Sequence, residues 1–358
     1  MVKKITLSLL FAGVATLSFG QEVRKYSNEF LSIGVGARAL GMSNAFVSTV
    51  DDATSGYWNP AGLVHVQSDR QISLMHAEYF AGIAKYDYAG FAMPLDTTSS
   101  IGFSFIRFGV DDIPNTTDLI DANGNINYDR ITSFSAADYA FLVSYAKKTS
   151  IPGLSLGANA KVVHRMVGSF AKAWGFGLDA GMQYRKGKWR FGAMARDVTS
   201  TFNAWSYTLD QRTIDVFNQT GNEIPVNSIE VTLPKLILGA ARSFTINDKF
   251  SVLAETNAIF TFDRKRNVAI RSNFSSIEPL AGFEVGYGGF AFFRGGIGNI
   301  QRVTDYDGNP GVSIQPNMGV GVRIKGFTLD YALTDVGDQS VALYSNIFSL
   351  KFDINRRN

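Results

Sequence analysis

Hydrophobic and polar residues alternate with period two over most of the chain from about residue 70 onward. Residues 174–184 show the pattern most plainly. Trp174, Phe176, Leu178, Ala180 and Met182 share one face, while Gly175, Gly177, Asp179, Gly181 and Gln183 share the other. Leu154, Leu156, Ala158, Ala160 and Val162 oppose Ser155, Gly157, Asn159 and Lys161 in the same way. Met318, Val320, Val322 and Ile324 oppose Asn317, Gly319, Gly321 and Arg323. Fourteen strands are predicted, starting near residues 70, 83, 98, 134, 153, 173, 188, 233, 248, 279, 290, 314, 326 and 341. Most run about 9 to 13 residues, which at roughly 3.3 Å per residue and a tilt near 40° covers an apolar band about 25 Å tall. One apolar face and one small, polar or charged face is what a lipid-facing barrel wall requires. A sandwich strand would turn its polar face to bulk water and would have little reason to be so rich in glycine.

The links between these strands sort by parity. The turns after the second, fourth, sixth, eighth, tenth and twelfth strands are short, among them Lys186-Gly187, Gly288-Gly289 and Lys325-Gly326. The long links, near residues 111–132, 197–232, 262–278 and 300–311, all have the other parity. Outer-membrane barrels carry short periplasmic turns, longer external loops and an even number of strands. The expectation is an all-β, 14-stranded antiparallel transmembrane β-barrel in the bacterial outer membrane, with both termini periplasmic.

Composition narrows the picture further. Lys3 and Lys4 precede an apolar stretch, residues 5–17, that is too short to span a bilayer, and Ser18-Phe19-Gly20 follows with small residues. Residues 1–20 therefore read as a secretory signal peptide. Without Lys3 and Lys4 the 34 basic residues fall to 32, against 31 acidic ones. That near-neutral balance, with no Arg/Lys run, gives no reason to expect nucleic acid as a partner. The chain has no cysteine, which excludes disulfides, thiolate metal sites and a Cys nucleophile. No apolar run after the leader reaches the roughly 18 residues of a membrane helix.

Residues 34–63 break the alternation. They are rich in Gly, Ala and Ser and show neither a helical stripe nor a strand pattern. A compact segment of small residues ahead of a long run of strands suggests a plug that the strands surround. The domain division is then residues 1–20 as leader, 21–66 as N-terminal plug or hatch, and 67–358 as barrel. Gly36-Ala-Arg-Ala-Leu-Gly41, Ala45-Phe-Val47, Asp51-Asp52-Ala53 and Trp58-Asn-Pro-Ala-Gly-Leu63 resemble the N-terminal signature of the PorV/PorQ family, within the wider FadL-like group of outer-membrane barrels. The resemblance marks Gly36, Arg38, Gly41, Asp51, Asp52, Trp58, Asn59 and Pro60 as the plug motif. The Asn59-Pro60-Ala61 triplet is similar to the hatch of those barrels.

The candidate chemistry is sparse. Gly34-Val-Gly-Ala-Arg-Ala39 lacks the strand and helix that a dinucleotide fingerprint needs. Asp121-Ala-Asn-Gly-Asn125 and Asp305-Tyr-Asp-Gly-Asn309 lack the spacing and terminal Glu of a calcium loop and read as turns. His65, His76 and His164 lack metal-ligand spacing. No nucleophile elbow is present. The sequence therefore offers no catalytic, cofactor or metal site. By alternation, Lys161, Asp179, Arg190, Arg196, Glu255, Glu284, Arg294 and Arg323 point into the lumen. Both signs occur among them, so paired networks between wall and plug are expected, with a ligand or ion path as the alternative. In the long link at 197–232, Phe202, Trp205, Tyr207 and Phe217 lie among polar residues. They mark either a partner surface or a loop folded over its own barrel mouth.

Two functions follow. The resemblance implies a non-catalytic role in type IX secretion, in which the barrel binds or shuttles secreted cargo proteins bearing C-terminal sorting domains, together with components of that system. The alternative is FadL-like transport of hydrophobic small molecules across the outer membrane. A continuous apolar pocket lined by plug and wall would favour transport. A charged, filled lumen under aromatic loops would favour protein handling.

Overall fold

The computed structural model describes residues 27–120, 124–304, 308–334 and 345–355. The leader, the first residues of the N-terminal segment and parts of the loops at 121–125 and 305–309 lie outside the described residues. The strands, in chain order, are β1 Arg70–Tyr79, β2 Ala84–Pro94, β3 Ser99–Asn115, β4 Thr132–Lys148, β5 Leu154–Val167, β6 Ala171–Lys186, β7 Trp189–Arg196, β8 Phe202–Tyr207, β9 Ser228–Val231, β10 Lys235–Thr245, β11 Phe250–Thr261, β12 Ile270–Arg271, β13 Ser276–Tyr287, β14 Ala291–Thr304, β15 Pro310–Ile324, β16 Phe327–Thr334 and β17 Ser345–Ile354. Leaving aside the short β8, β9 and β12, fourteen strands form a closed antiparallel barrel, with β1 pairing to β17. Each of the fourteen begins within four residues of its predicted start.

The closure follows from the alternation. Every strand turns one side outward, and the apolar side is the outward one: Phe141, Val143, Tyr145, Trp174, Phe176, Met318 and Val320 are all exposed. Such a surface is stable only against lipid. One cross-strand row marks its margin toward the long links. His76, Asp87, Arg107, Tyr139, His164 and Trp174 are successive partners from β1 to β6. His76 Nδ1 lies 2.7 Å from Asp87 Oδ1, and His164 stacks on Trp174 at 4.1 Å. This polar and aromatic row is the girdle expected where bilayer meets water.

The short turns gather at one end of the barrel and the long links at the other. Residues of the first turn are tied by one carboxylate, since Asp96 accepts hydrogen bonds from the backbone of Thr98 and Ser99 and from both hydroxyls. The segment 197–232 differs from the predicted loop. Asp197 and Ser200 take positive φ of 56° each, after which the chain resumes on the same neighbour, β6, as β8. A ten-residue helix, Gln211–Thr220, follows. Its N-cap is Asp210, which accepts from Thr213 N, and it leads to β9, paired with β8. No helix among the described residues is long and apolar enough to cross a membrane.

Residues 27–66 pack against the inner faces of the strands. They supply nearly half of the largest buried apolar cluster, including Val35, Leu40, Met42, Phe46, Tyr57 and Trp58. Their regular structure is limited to short helical turns, among them Ala37–Gly41, Ser55–Trp58 and Pro60–His65. Small residues explain how they fit. A Cβ placed on Gly192 would lie 2.5 Å from the Val47 carbonyl oxygen, and one on Gly157 would lie 2.4 Å from Ala61 N. The inner wall is rich in glycine where the segment's backbone runs directly against it.

Candidate functional site

The contact between residues 27–66 and the wall is built from side chains that the alternation turns inward. Arg38 sits in the turn Ala37–Gly41 and reaches β13. Its Nε and Nη2 donate to the two oxygens of Glu284 at 2.9 Å each, a bidentate clamp. Arg294 on β14 donates to the same carboxylate at 2.6 Å and to Asp330 on β16 at 2.7 Å. Asp52 is anchored by Lys351 at 3.3 Å. Burial works to raise the Asp52 carboxyl, but Lys351 and the Thr54 hydrogen bonds outweigh it and hold the group below its usual range.

Asn59 closes the other side. It is fully buried and donates to the Val47 and Met182 carbonyls at 3.0 Å each. Its Oδ1 accepts from Ala61 N, which caps the turn begun by Pro60. Trp58 donates from its indole to the Val35 carbonyl at 2.9 Å, and Tyr57 donates to Leu31 O at 2.7 Å. Gly36 has φ 85°, a backbone open to glycine, and its N–H meets Met75 Sδ on β1. Gly41 lies against Gly319, where a Cβ would approach to 3.0 Å. All eight residues of the plug motif thus touch the wall or shape the segment that does.

The lumen charges sort into distinct groups. Lys161 bridges Asp179 at 2.7 Å and Asp197 at 2.6 Å, and all three are buried. Glu255 accepts from Ser48 N at 2.7 Å and from the Thr49 hydroxyl. Arg196 donates to the Leu31 and Tyr57 carbonyls and lies over the Tyr57 ring at 4.4 Å. Arg190 comes no closer than 3.9 Å to Asp51. Arg323 departs from the expected paired network. It is exposed at the short-turn end and lies over the Phe292 ring at 5.2 Å. It sits one residue from the end of β15, where the segment no longer fills the interior.

The four aromatics expected in a loop are held in regular structure instead. Phe202, Trp205 and Tyr207 belong to β8, with Trp205 opposite Ala173 of β6. Trp205 donates to Glu230 at 2.9 Å and is covered by Arg165. Phe202 stays exposed, and Phe217 is half-buried in the helix Gln211–Thr220.

Two cavities flank the packed segment. At the long-link end, a cavity of about 520 Å³ lies between segment and wall. Val47 and Trp58 line it from the segment, and Ile237, Ile259 and Leu280 from β10, β11 and β13. Its rim is ionic. Glu29 meets Lys235 at 3.3 Å and Arg266 at 3.2 Å. Burial works to raise Glu29, but those two cations prevail and lower it, so it stays ionised. At the short-turn end, a polar cavity of about 690 Å³ is lined by Arg38, Asp51, His65, Arg190 and Arg323 among others. The apolar patch was hidden in sequence because its residues come from four separated stretches. Ile237 and Leu280 are also inward-facing apolar exceptions to their strands' alternation, which is the signal that could have located it.

No family model matches the chain, and no curated protein sequence does either. Solved structures do. The chain is similar to the toluene transporter TodX of Pseudomonas putida at 14% identity and TM-score 0.56, covering 90% of this chain and 99% of that one. It is similar to the CymD monoaromatic hydrocarbon channel at 12% identity and TM-score 0.54, covering 91% and 99%. It is similar to a Pseudomonas aeruginosa FadL homologue at 12% identity and TM-score 0.51, covering 89% and 98%. At these identities the likeness establishes the fold, that of the FadL-like outer-membrane barrels.

Proposed function

We propose that this chain is an outer-membrane transporter for a small hydrophobic or amphipathic molecule, with residues 27–66 as its hatch and the short turns facing the periplasm. The observation that carries the reading is the cavity at the long-link end, lined jointly by Val47 and Trp58 of the segment and by Ile237, Ile259 and Leu280 of the wall. A site shared between a separable segment and a fixed wall can fill and empty as the segment shifts. Its apolar residues take the hydrophobic part of the ligand, and the polar remainder of the lining, Glu29, Lys235, Arg266 and Glu278 among them, sets the polar boundary. The structural neighbours include a toluene transporter and a monoaromatic hydrocarbon channel, which supports this class of ligand.

The test is uptake of labelled toluene by cells with an intact lipopolysaccharide outer membrane that produce the intact chain, compared with cells producing Ile237→Trp, which fills the cavity. Faster uptake with the wild type than without the protein, and loss of that gain in the variant, is the expected result. Equal rates with the wild type, the variant and no protein would overturn the reading.

A second reading keeps the PorV/PorQ resemblance, in which the barrel binds secreted cargo at its outer mouth. It is favoured by the charge-filled interior and by the exposed apolar residues of the long-link end, Phe202, Val226 and Ile229. Native purification separates the two. Secreted proteins with C-terminal sorting domains would co-purify under the second reading and not under the first.

A further inference from the structure

The polar cavity at the short-turn end holds more positive charge in one corner than the protein neutralises. Elsewhere around it most charged groups have a close polar partner, and Arg323 lies over the Phe292 ring. Arg38 and Arg294 share Glu284, Lys351 pairs with Asp52, and Gln71 donates to Asp353. The corner at Asp51 differs. Three guanidinium groups face its single carboxylate: Arg38 at 3.4 Å, and Arg185 and Arg190 at 3.9 Å each. The last two distances are too long for hydrogen bonds.

The donors there are correspondingly idle. The Arg190 side chain donates no hydrogen bond among the described residues. Arg185 reaches only Gln183 Oε1, at 3.5 Å, and its Nε is shut off from solvent with no partner. His65 Nε2 is likewise buried without a partner. The imidazole feels Arg185, Lys148 and Arg190 against Asp51 alone. Burial first, then Arg185, pushes it down to about 3, so it is neutral and offers one N–H. Buried donors without acceptors are costly. His65 and Arg190 line the polar cavity beside Asp51, which gives room for an acceptor, and Arg185 stands behind them.

We propose that this corner is a binding site for an anionic group, a carboxylate or a phosphate, held by Arg190 and His65 from the cavity wall, with the charge of Arg185 behind them. The anion competes with Asp51 for the same guanidinium groups. Because Asp51 belongs to the segment 27–66, occupancy at the short-turn end acts directly on that segment. The site is independent of the apolar cavity at the other end and does not require the transport reading.

The test is calorimetric titration of the intact chain in detergent at fixed ionic strength. The probes are inorganic phosphate, acetate and octanoate. Saturable binding of at least one probe is expected. Arg190→Gln should weaken it about tenfold, as expected for loss of a charge-assisted hydrogen bond. Asp51→Asn should tighten it several-fold, and a gain in affinity does not arise from misfolding. Preference for phosphate assigns a phosphate-bearing ligand, and preference for octanoate over acetate assigns an acid with an alkyl tail. Absence of saturation with all three probes, or equal affinity in wild type, Arg190→Gln and Asp51→Asn, would overturn the proposal.

Discussion

Glu284 is where the wall grips the segment most strongly, so its removal gives a quantitative forecast. Its carboxylate takes two hydrogen bonds from Arg38 and one from Arg294. Arg294 is 1% exposed. In Glu284→Ala, Arg294 keeps Asp330 at 2.7 Å, and Arg38 keeps only the longer contact to Asp51 at 3.4 Å. Removing one partner of a buried ion pair costs about 3–5 kcal/mol, chiefly because the other charge stays buried without compensation. The remaining partners place Glu284→Ala near the lower bound, about 3 kcal/mol. The double variant R38M/E284M removes both charges together. It should lose clearly less than the two single variants combined, with a coupling of about 2 kcal/mol or more. Equilibrium urea unfolding from lipid vesicles, followed by tryptophan fluorescence, measures both quantities. A loss below about 0.5 kcal/mol, the level of an exposed surface pair, would refute the reasoning, as would additive single variants.

Further outcomes follow from other parts of the structure. Gly192→Val should displace the segment from the wall, because the Cβ alone would lie 2.5 Å from Val47 O; faster proteolysis within residues 27–66, with the barrel intact, would show it. Val143→Arg puts a charge on the exposed outer face of β4, between the girdle residue Tyr139 and the strand's end at Lys148, and should cost about 2–4 kcal/mol in lipid vesicles, and an unchanged unfolding midpoint would mean that this face does not meet lipid. His65 carries a folded-state value of about 3 against 6.5. The unfolded chain therefore takes up a proton that the folded chain refuses, and stability falls as pH drops from 6.5 toward 3. His65→Gln should flatten that part of the pH profile, and an unaltered slope would count against a buried neutral imidazole.

The wall was legible because a barrel strand writes its two environments into every second residue. Trp174 to Met182 face out and Asp179 and Gln183 face in, as the alternation requires. The links were legible by parity. The region after β7 was not, since the positive φ at Asp197 and Ser200 interrupts the strand without ending it. Trp205 therefore read as a loop aromatic although it is paired to β6. The inward direction of Lys161, Asp179, Glu255, Glu284 and Arg294 could be read from period two, but their partners could not. Asp197, Asp330 and Thr49 meet them only through the closed fold. The same holds for both cavities. Ile237 and Leu280 show in sequence only as apolar residues of inward parity, Arg185 and His65 carry no local signature, and only barrel closure brings each to the segment.

The claim on which the account rests is that residues 27–66 occupy the interior of a membrane-spanning barrel. Planar-bilayer recording of the intact chain and of a variant lacking residues 27–66 tests it directly. The account predicts a silent intact protein and steady ion conductance from the deletion. A conducting intact protein, or a correctly inserted deletion variant that stays silent, would contradict it.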